Sequence, residues 1–222
     1  MMTYKMILAG ESRSFPENDP FLSSDDKAAT LVIAGTQAGG AFAGLSDVDQ
    51  YDLVLIELGS ECLGVHTGES RGEEGGDVLG FARFRMGDLP PTNLVELVRQ
   101  PGSDPARVEQ ARALFESHGF MVAVCGDFPG RIIDRLVRPY YNAALSRLDA
   151  RLATAADMDL TLKLGLGYPK GPIELLEESG IVHHHDVTSA LYDALGDAAY
   201  YPARRAQIAA VRSRRSHDNA AA

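Results

Sequence analysis

The chain has 222 residues, 45% apolar and 23% charged, with 21 basic against 31 acidic side chains and a net charge of -10. That apolar share excludes wholesale disorder, and the negative charge opposes general binding to nucleic acid. The longest strongly apolar run, Phe120 to Cys125, is far short of the roughly 18 residues that span a bilayer, so no membrane segment is expected. Met1 to Met6 lacks a signal-peptide layout, and Cys62 and Cys125 lack a metal-binding spacing, which together point to a cytoplasmic protein with reduced thiols.

Six short apolar runs punctuate the first half: Tyr4–Ala9, Ala29–Ala34, Tyr51–Glu57, Val78–Phe84, Leu94–Val98 and Phe120–Cys125. Nearly continuous apolar runs of this kind suit strands of a largely parallel sheet covered on both faces. Between the last two runs the spacing predicts a helix. Asp104 caps it, Pro105 fits its first turn, Val108, Ala111, Leu114 and Phe115 form its stripe, and Gly119 closes it. Strand, helix and strand then make a βαβ unit.

From Gly130 onward the period is helical. Ile132, Ile133, Leu136, Val137, Tyr140, Tyr141, Ala144, Leu145 and Leu148 recur at three- and four-residue steps, a wide face that must bury against other helices or a partner subunit. Thr154 to Asp157 resembles a capping box. Further helices are expected over Pro172–Ser179 and Asp186–Leu195, each stopped by a glycine. The arginines from Arg204 to Arg215 are expected to form a flexible basic tail. The layout is therefore a reduced Rossmann-like α/β domain over 1–125, a helical domain over 126–205 and a tail over 206–222.

The helical half carries a resemblance. Asp127-Phe-Pro-Gly-Arg-Ile-Ile-Asp-Arg-Leu-Val-Arg-Pro-Tyr-Tyr-Asn-Ala-Ala-Leu145 and the segment from Asp157 to Leu176, with its string Leu164-Gly-Leu-Gly-Tyr-Pro-Lys-Gly-Pro172, resemble segments of the C-terminal helical domain of L-3-hydroxyacyl-CoA dehydrogenases. The similarity runs from about Val78 to Tyr201. The glycine- and proline-rich string has its own physical reading as a helix-to-helix corner, with Gly165, Gly167 and Gly171 allowing unusual backbone angles and Pro169 and Pro172 fixing the turns.

The resemblance implies a truncated Rossmann-like parallel-sheet domain followed by an all-α domain that dimerises. It also implies an NAD-dependent oxidoreductase acting on the CH–OH group of a 3-hydroxyacyl-CoA in fatty-acid metabolism, with its site in a cleft between domains. Its glutamate falls on Glu96 and its asparagine on Asp134, which are the candidate catalytic residues. Its histidine general base falls on Ala82, and its serine aligns with either Ser60 or Ser70. Lys170 is the candidate contact for a CoA phosphate.

The segment after the first strand, Ala9 to Pro20, has one glycine, three acids and no helical period. A dinucleotide site needs Gly-x-Gly-x-x-Gly opening a helix there. Gly35-Thr-Gln-Ala-Gly-Gly-Ala-Phe-Ala-Gly44 has the wrong spacing and suits a flexible turn or helix packing instead, so the residues that would bind the cofactor are not identified. An alternative reading follows: a non-catalytic, dimeric relative that binds an acyl-CoA-type ligand or a partner protein. No metal site is expected. His183-His-His-Asp186 offers at most two ligands, His183 and Asp186, and reads better as a polar helix start. Cys62 and His66 suit a strand-end turn, and Glu57, Glu61, Glu69, Glu73 and Glu74 suit a solvated acidic loop.

Overall fold

The computed structural model describes residues 2–23, 25 and 27–220, with backbone only for 217–220. It divides into two compact units. One holds Met1–Arg85 with Pro90–Ile132, and the other holds Met86–Leu89 with Ile133–Ala222.

The first unit is built on a six-stranded sheet whose spatial order follows the chain. Its strands are β1 (Lys5–Leu8), β2 (Thr30–Ala34), β3 (Leu53–Glu57), β4 (Val78–Arg83), β5 (Leu94–Arg99) and β6 (Met121–Gly126). All six expected strands are present. Pairing is parallel from β1 to β4 and between β5 and β6, while β4 and β5 run antiparallel. The short link between β4 and β5 contains no helix, and only an antiparallel return can be made with so little chain.

Every residue of β2 and β3 is buried because both faces of the sheet are covered. On one face lies α3 (Pro105–Ser117), capped by Asp104, whose side chain accepts from the Ala106 amide. Phe15 and Phe21, each 1% exposed, pack on the same face against Phe81, Phe115 and Phe120. The connection from β1 to β2 thus covers the sheet with aromatic rings where a crossover helix would normally lie. Each fully buried ring contributes about 2–3 kcal/mol of hydrophobic stabilisation. The opposite face is covered by α1 (Ala38–Ala43), α2 (Gly64–Thr67) and the segment around Phe128 and Ile132.

The second unit contains α4 (Ile132–Asp149), α5 (Ala155–Leu166), α6 (Pro172–Ser179), α7 (Ile181–Leu195) and α8 (Arg204–Ala220). Pro139 lies inside α4 and cannot donate to the Arg135 carbonyl one turn earlier. The Tyr200 hydroxyl supplies that missing hydrogen bond at 3.0 Å. The glycine-rich corner works only partly as its sequence suggests. Gly167 ends α5 in the left-handed region, but Gly165 is ordinary helix. Gly171 is needed because a Cβ there would collide with the Asp159 carboxylate, which accepts from the Ile173 and Glu174 amides and fixes the start of α6.

The expected tail is not a tail over its described length. Residues 206–220 continue α8, anchored by the buried Ala206 and Ala210. Residues 221 and 222 of that tail lie outside the described residues. Among the described residues no helix is long and apolar enough to cross a membrane.

Candidate functional site

In the α/β unit, Glu96 sits on β5 and is 1% exposed. Its register partner on β4 is Ala82. The position at which the resemblance places a general base therefore stands directly across the ladder from the glutamate and carries only a methyl group. The two histidines of this unit are engaged elsewhere. His66 stacks over Gly39 and lies 3.5 Å from Glu61, and His118 bonds the Leu114 carbonyl. At the two serine candidates the main chain is engaged: the Ser60 carbonyl accepts from the Gly130 amide, and the Ser70 amide donates to the Glu74 carboxylate.

Arg131 is 2% exposed and donates through Nη2 to the Glu61 and Phe128 carbonyls, at 2.6 and 3.1 Å. Its charge favours the thiolate of Cys125, but burial prevails and pushes that thiol up to about 11. Cys62 is likewise raised, chiefly by burial. Neither thiol is therefore poised as a nucleophile or metal ligand at neutral pH. No group of three His, Cys, Asp or Glu side chains among the described residues is arranged to hold a metal ion.

The expected solvated acidic loop is corrected at Glu57, which is 7% exposed. Its Oε2 accepts from Ser12 Oγ at 2.8 Å and from the Gly35 amide at 2.6 Å, and its Oε1 accepts from the Ser14 amide at 2.8 Å. Other acids of that stretch also organise local backbone. Glu74, for example, accepts from the Ser70 and Gly72 amides.

In the helical unit, Asp134 lies in the first turn of α4 and accepts from Arg138 Nε at 2.7 Å. Arg138 is 1% exposed, and its Nη1 points at Nδ1 of the fully buried His184 at 3.4 Å. His184 Nε2 meets Asn142 Oδ1 at 2.9 Å, and Asn142 also bonds the Ala199 and Tyr201 carbonyls and the Ala203 amide. Arginine has no acceptor, so His184 accepts at Nδ1 and carries its proton on Nε2. Burial, reinforced by Arg138, drops its pKa to about 3 and keeps the ring neutral.

The polar-helix-start reading of 183–186 is thus corrected at its centre: His184 is a core residue. Asp186 meets His185 at 3.0 Å. Lys170, the candidate phosphate contact, is paired with Glu178. The structure therefore places Glu96 in one unit and Asp134 and Lys170 in the other. Sequence reasoning missed Arg138, His184 and Glu57. Only the four-residue step from Asp134 to Arg138, acid before base on a helix, advertised a pairing.

Residues 130–217 match the family model of the 3-hydroxyacyl-CoA dehydrogenase C-terminal domain. Over 117 residues, 53% of this chain, the sequence is 32% identical to a 3-hydroxybutyryl-CoA dehydrogenase of Bradyrhizobium diazoefficiens, 40% of which is covered. Human mitochondrial hydroxyacyl-coenzyme A dehydrogenase is 33% identical over 105 residues, covering 47% of this chain and 32% of that protein. These matches span well under half the length of the curated relatives. Among solved structures, a 3-hydroxybutyryl-CoA dehydrogenase from Escherichia coli K12 superimposes with a TM-score of 0.73 at 26% identity, covering 86% of this chain and 42% of that one. An (S)-3-hydroxybutyryl-CoA dehydrogenase from Ralstonia eutropha shares the fold, with a TM-score of 0.68 at 22% identity over 83% of this chain and 67% of that one.

Proposed function

We propose, from the match of residues 130–217 to the 3-hydroxyacyl-CoA dehydrogenase C-terminal domain, that this chain binds an acyl-CoA-type ligand in the cytoplasm without running the NAD-coupled oxidation. The observation that carries this reading is the Ala82–Glu96 register pair, which leaves the glutamate with no imidazole opposite it. Loss of a general base typically removes about 10²- to 10⁴-fold in rate.

The residues present do not fit NAD at the first strand. Pyrophosphate binding uses free backbone amides at a helix start immediately after that strand. Here, among the described residues, no α-helix follows β1 before β2, only a single 3-10 turn over Pro20–Leu22. The Gly35 amide is given to Glu57, the Thr36 amide to the Glu11 carbonyl and the Gln37 amide to the Ala9 carbonyl. Gly35 adopts φ +111°, and a Cβ there would run into Ala9, so the two post-strand segments are closed upon each other.

The other reading is an oxidoreductase acting on a 3-hydroxyacyl-CoA in fatty-acid metabolism through Glu96 and Asp134. It draws on the burial of Glu96 and the single orientation that Arg138 gives Asp134. A thermal-shift series with CoA, acetoacetyl-CoA, NAD and NADP separates the two, because a ligand at 100 times its Kd stabilises by about 2.7 kcal/mol. We expect shifts with CoA or acetoacetyl-CoA, none with either dinucleotide, and background NADH formation from 3-hydroxybutyryl-CoA. A shift with NAD together with turnover abolished by Glu96→Gln would establish the oxidoreductase instead.

Pairing of two copies through the helical domain belongs to the same proposal. Helix α5 buries none of its residues, while Leu160, Leu164 and Leu166 are 52%, 79% and 63% exposed. The chain should elute as a dimer in light-scattering chromatography, and Leu164→Glu should yield monomers. A wild-type chain that remains monomeric at tens of micromolar would refute the pairing.

A further inference from the structure

Donors from the loop after β1 and from the residue following β2 converge on one point, and a side chain of the protein fills it. Two backbone amides, Ser14 and Gly35, and the Ser12 hydroxyl all donate to the Glu57 carboxylate within 2.8 Å. Ser12 Oγ in turn accepts from the Phe15 amide at 3.0 Å, so the hydroxyl proton is directed at the carboxylate. Ser14 Oγ accepts from the Arg83 amide at 3.1 Å, which ties the loop to β4. Three donors from two segments, arranged around one anion in a water-poor setting, form an oxyanion receptor. Beside it lies a cavity of about 240 Å³ bordered by Glu57, Gly35, Arg13, Gly59 and His66.

We infer that Glu57 is an internal anion seated in a carboxylate- or phosphate-sized receptor at the carboxyl end of the parallel strands, and that removing its side chain opens a binding site for a small exogenous anion. This inference stands apart from the acyl-CoA reading, because it concerns a different set of residues and a different ligand. The seat is a single-anion receptor, made by a loop and two strand ends.

The test compares wild type, Glu57→Ala and Glu57→Gln in formate, acetate or phosphate against chloride of equal ionic strength. Glu57→Ala strands three buried donors and should lower Tm by roughly 10 °C. Formate and acetate should recover at least half of that loss, with phosphate distinguishing a tetrahedral from a planar guest. Wild type should not respond, because its seat is filled. Glu57→Gln should be destabilised yet unresponsive, because the amide still occupies the seat. Amide hydrogen exchange at Gly35 should be slow in wild type, fast in Glu57→Ala and slowed again by formate. If Glu57→Ala does not fold in chloride, recovery of a cooperative unfolding transition in formate is the same readout. An alanine variant that ignores all three anions, folded or not, overturns the inference. So does a wild-type chain that shifts as strongly as the variant.

Discussion

Asp134→Asn should destabilise the helical unit by about 3–5 kcal/mol, the usual cost of breaking a buried ion pair from one side. The substitution puts back the amide that the family resemblance places at this position, yet here it removes the counter-charge of Arg138. That guanidinium is 1% exposed and cannot turn to water. The neutral His184 on its other edge offers a lone pair at 3.4 Å but no compensating charge. Arg138→Met should cost less, because the Asp134 side chain is 20% exposed and can be hydrated once its partner is gone. The double variant should therefore be more stable than Asp134→Asn alone, and the cycle should give a coupling energy of about 1–3 kcal/mol. Urea unfolding of the four chains measures this. A Asp134→Asn chain within about 1 kcal/mol of wild type would show that the pair is not held as described. The expected result also bears on function: the aspartate at this position is first of all half of a core ion pair, whatever ligand the domain binds.

The parts of the fold that could be read from the sequence are those written in periodicity. Leu31 to Ala34 and Leu53 to Ile56 are apolar at consecutive positions because they are covered on both faces, and such runs are recognisable without a partner. The Asp104-Pro105 start of α3 is equally local. What escaped is what depends on distant residues. Whether β5 runs with or against β4 is decided by the short link between them, and the apolar pattern is the same either way. Glu57 ends a buried strand and opens an acidic stretch, so composition suggested solvent, whereas Ser12, Ser14 and Gly35 supply its hydrogen bonds from elsewhere in the chain. His184 stands between two other histidines, and only tertiary packing picks it out as the buried one. The candidate site was legible to the same degree. The glutamate and the vacant base position followed from the resemblance and align in the β4–β5 register, but the residues that orient Asp134 did not.

His184 should make the protein acid-sensitive in a window where carboxylates contribute little. In the unfolded chain its imidazole titrates near 6.5, whereas in the fold burial and the neighbouring Arg138 hold it down to about 3. Between those two values the unfolded state binds the extra proton and the folded state refuses it, so stability rises with pH. The contribution is complete above about 6.5 and is lost as pH falls toward 3, at up to about 1.4 kcal/mol per pH unit. Carboxylates such as Asp149, whose pKa is lowered by Arg204 and Arg205, also weaken the fold in acid, but mainly below pH 5, where unfolded carboxylates begin to protonate. Denaturation measured at pH 7, 6 and 5 therefore separates imidazoles from carboxylates, and comparison with a His184 variant singles out His184 among the six histidines. His184→Gln can keep an acceptor for Arg138 and a donor for Asn142 without titrating. It should be less stable than wild type at pH 7, because its shape differs in a packed core, yet flatter across the window, so that the two stability curves converge as the solution is acidified. Parallel curves for the two chains between pH 7 and 5 would show that His184 takes up its proton in the folded state, which would require the Arg138–His184–Asn142 network to rearrange without unfolding.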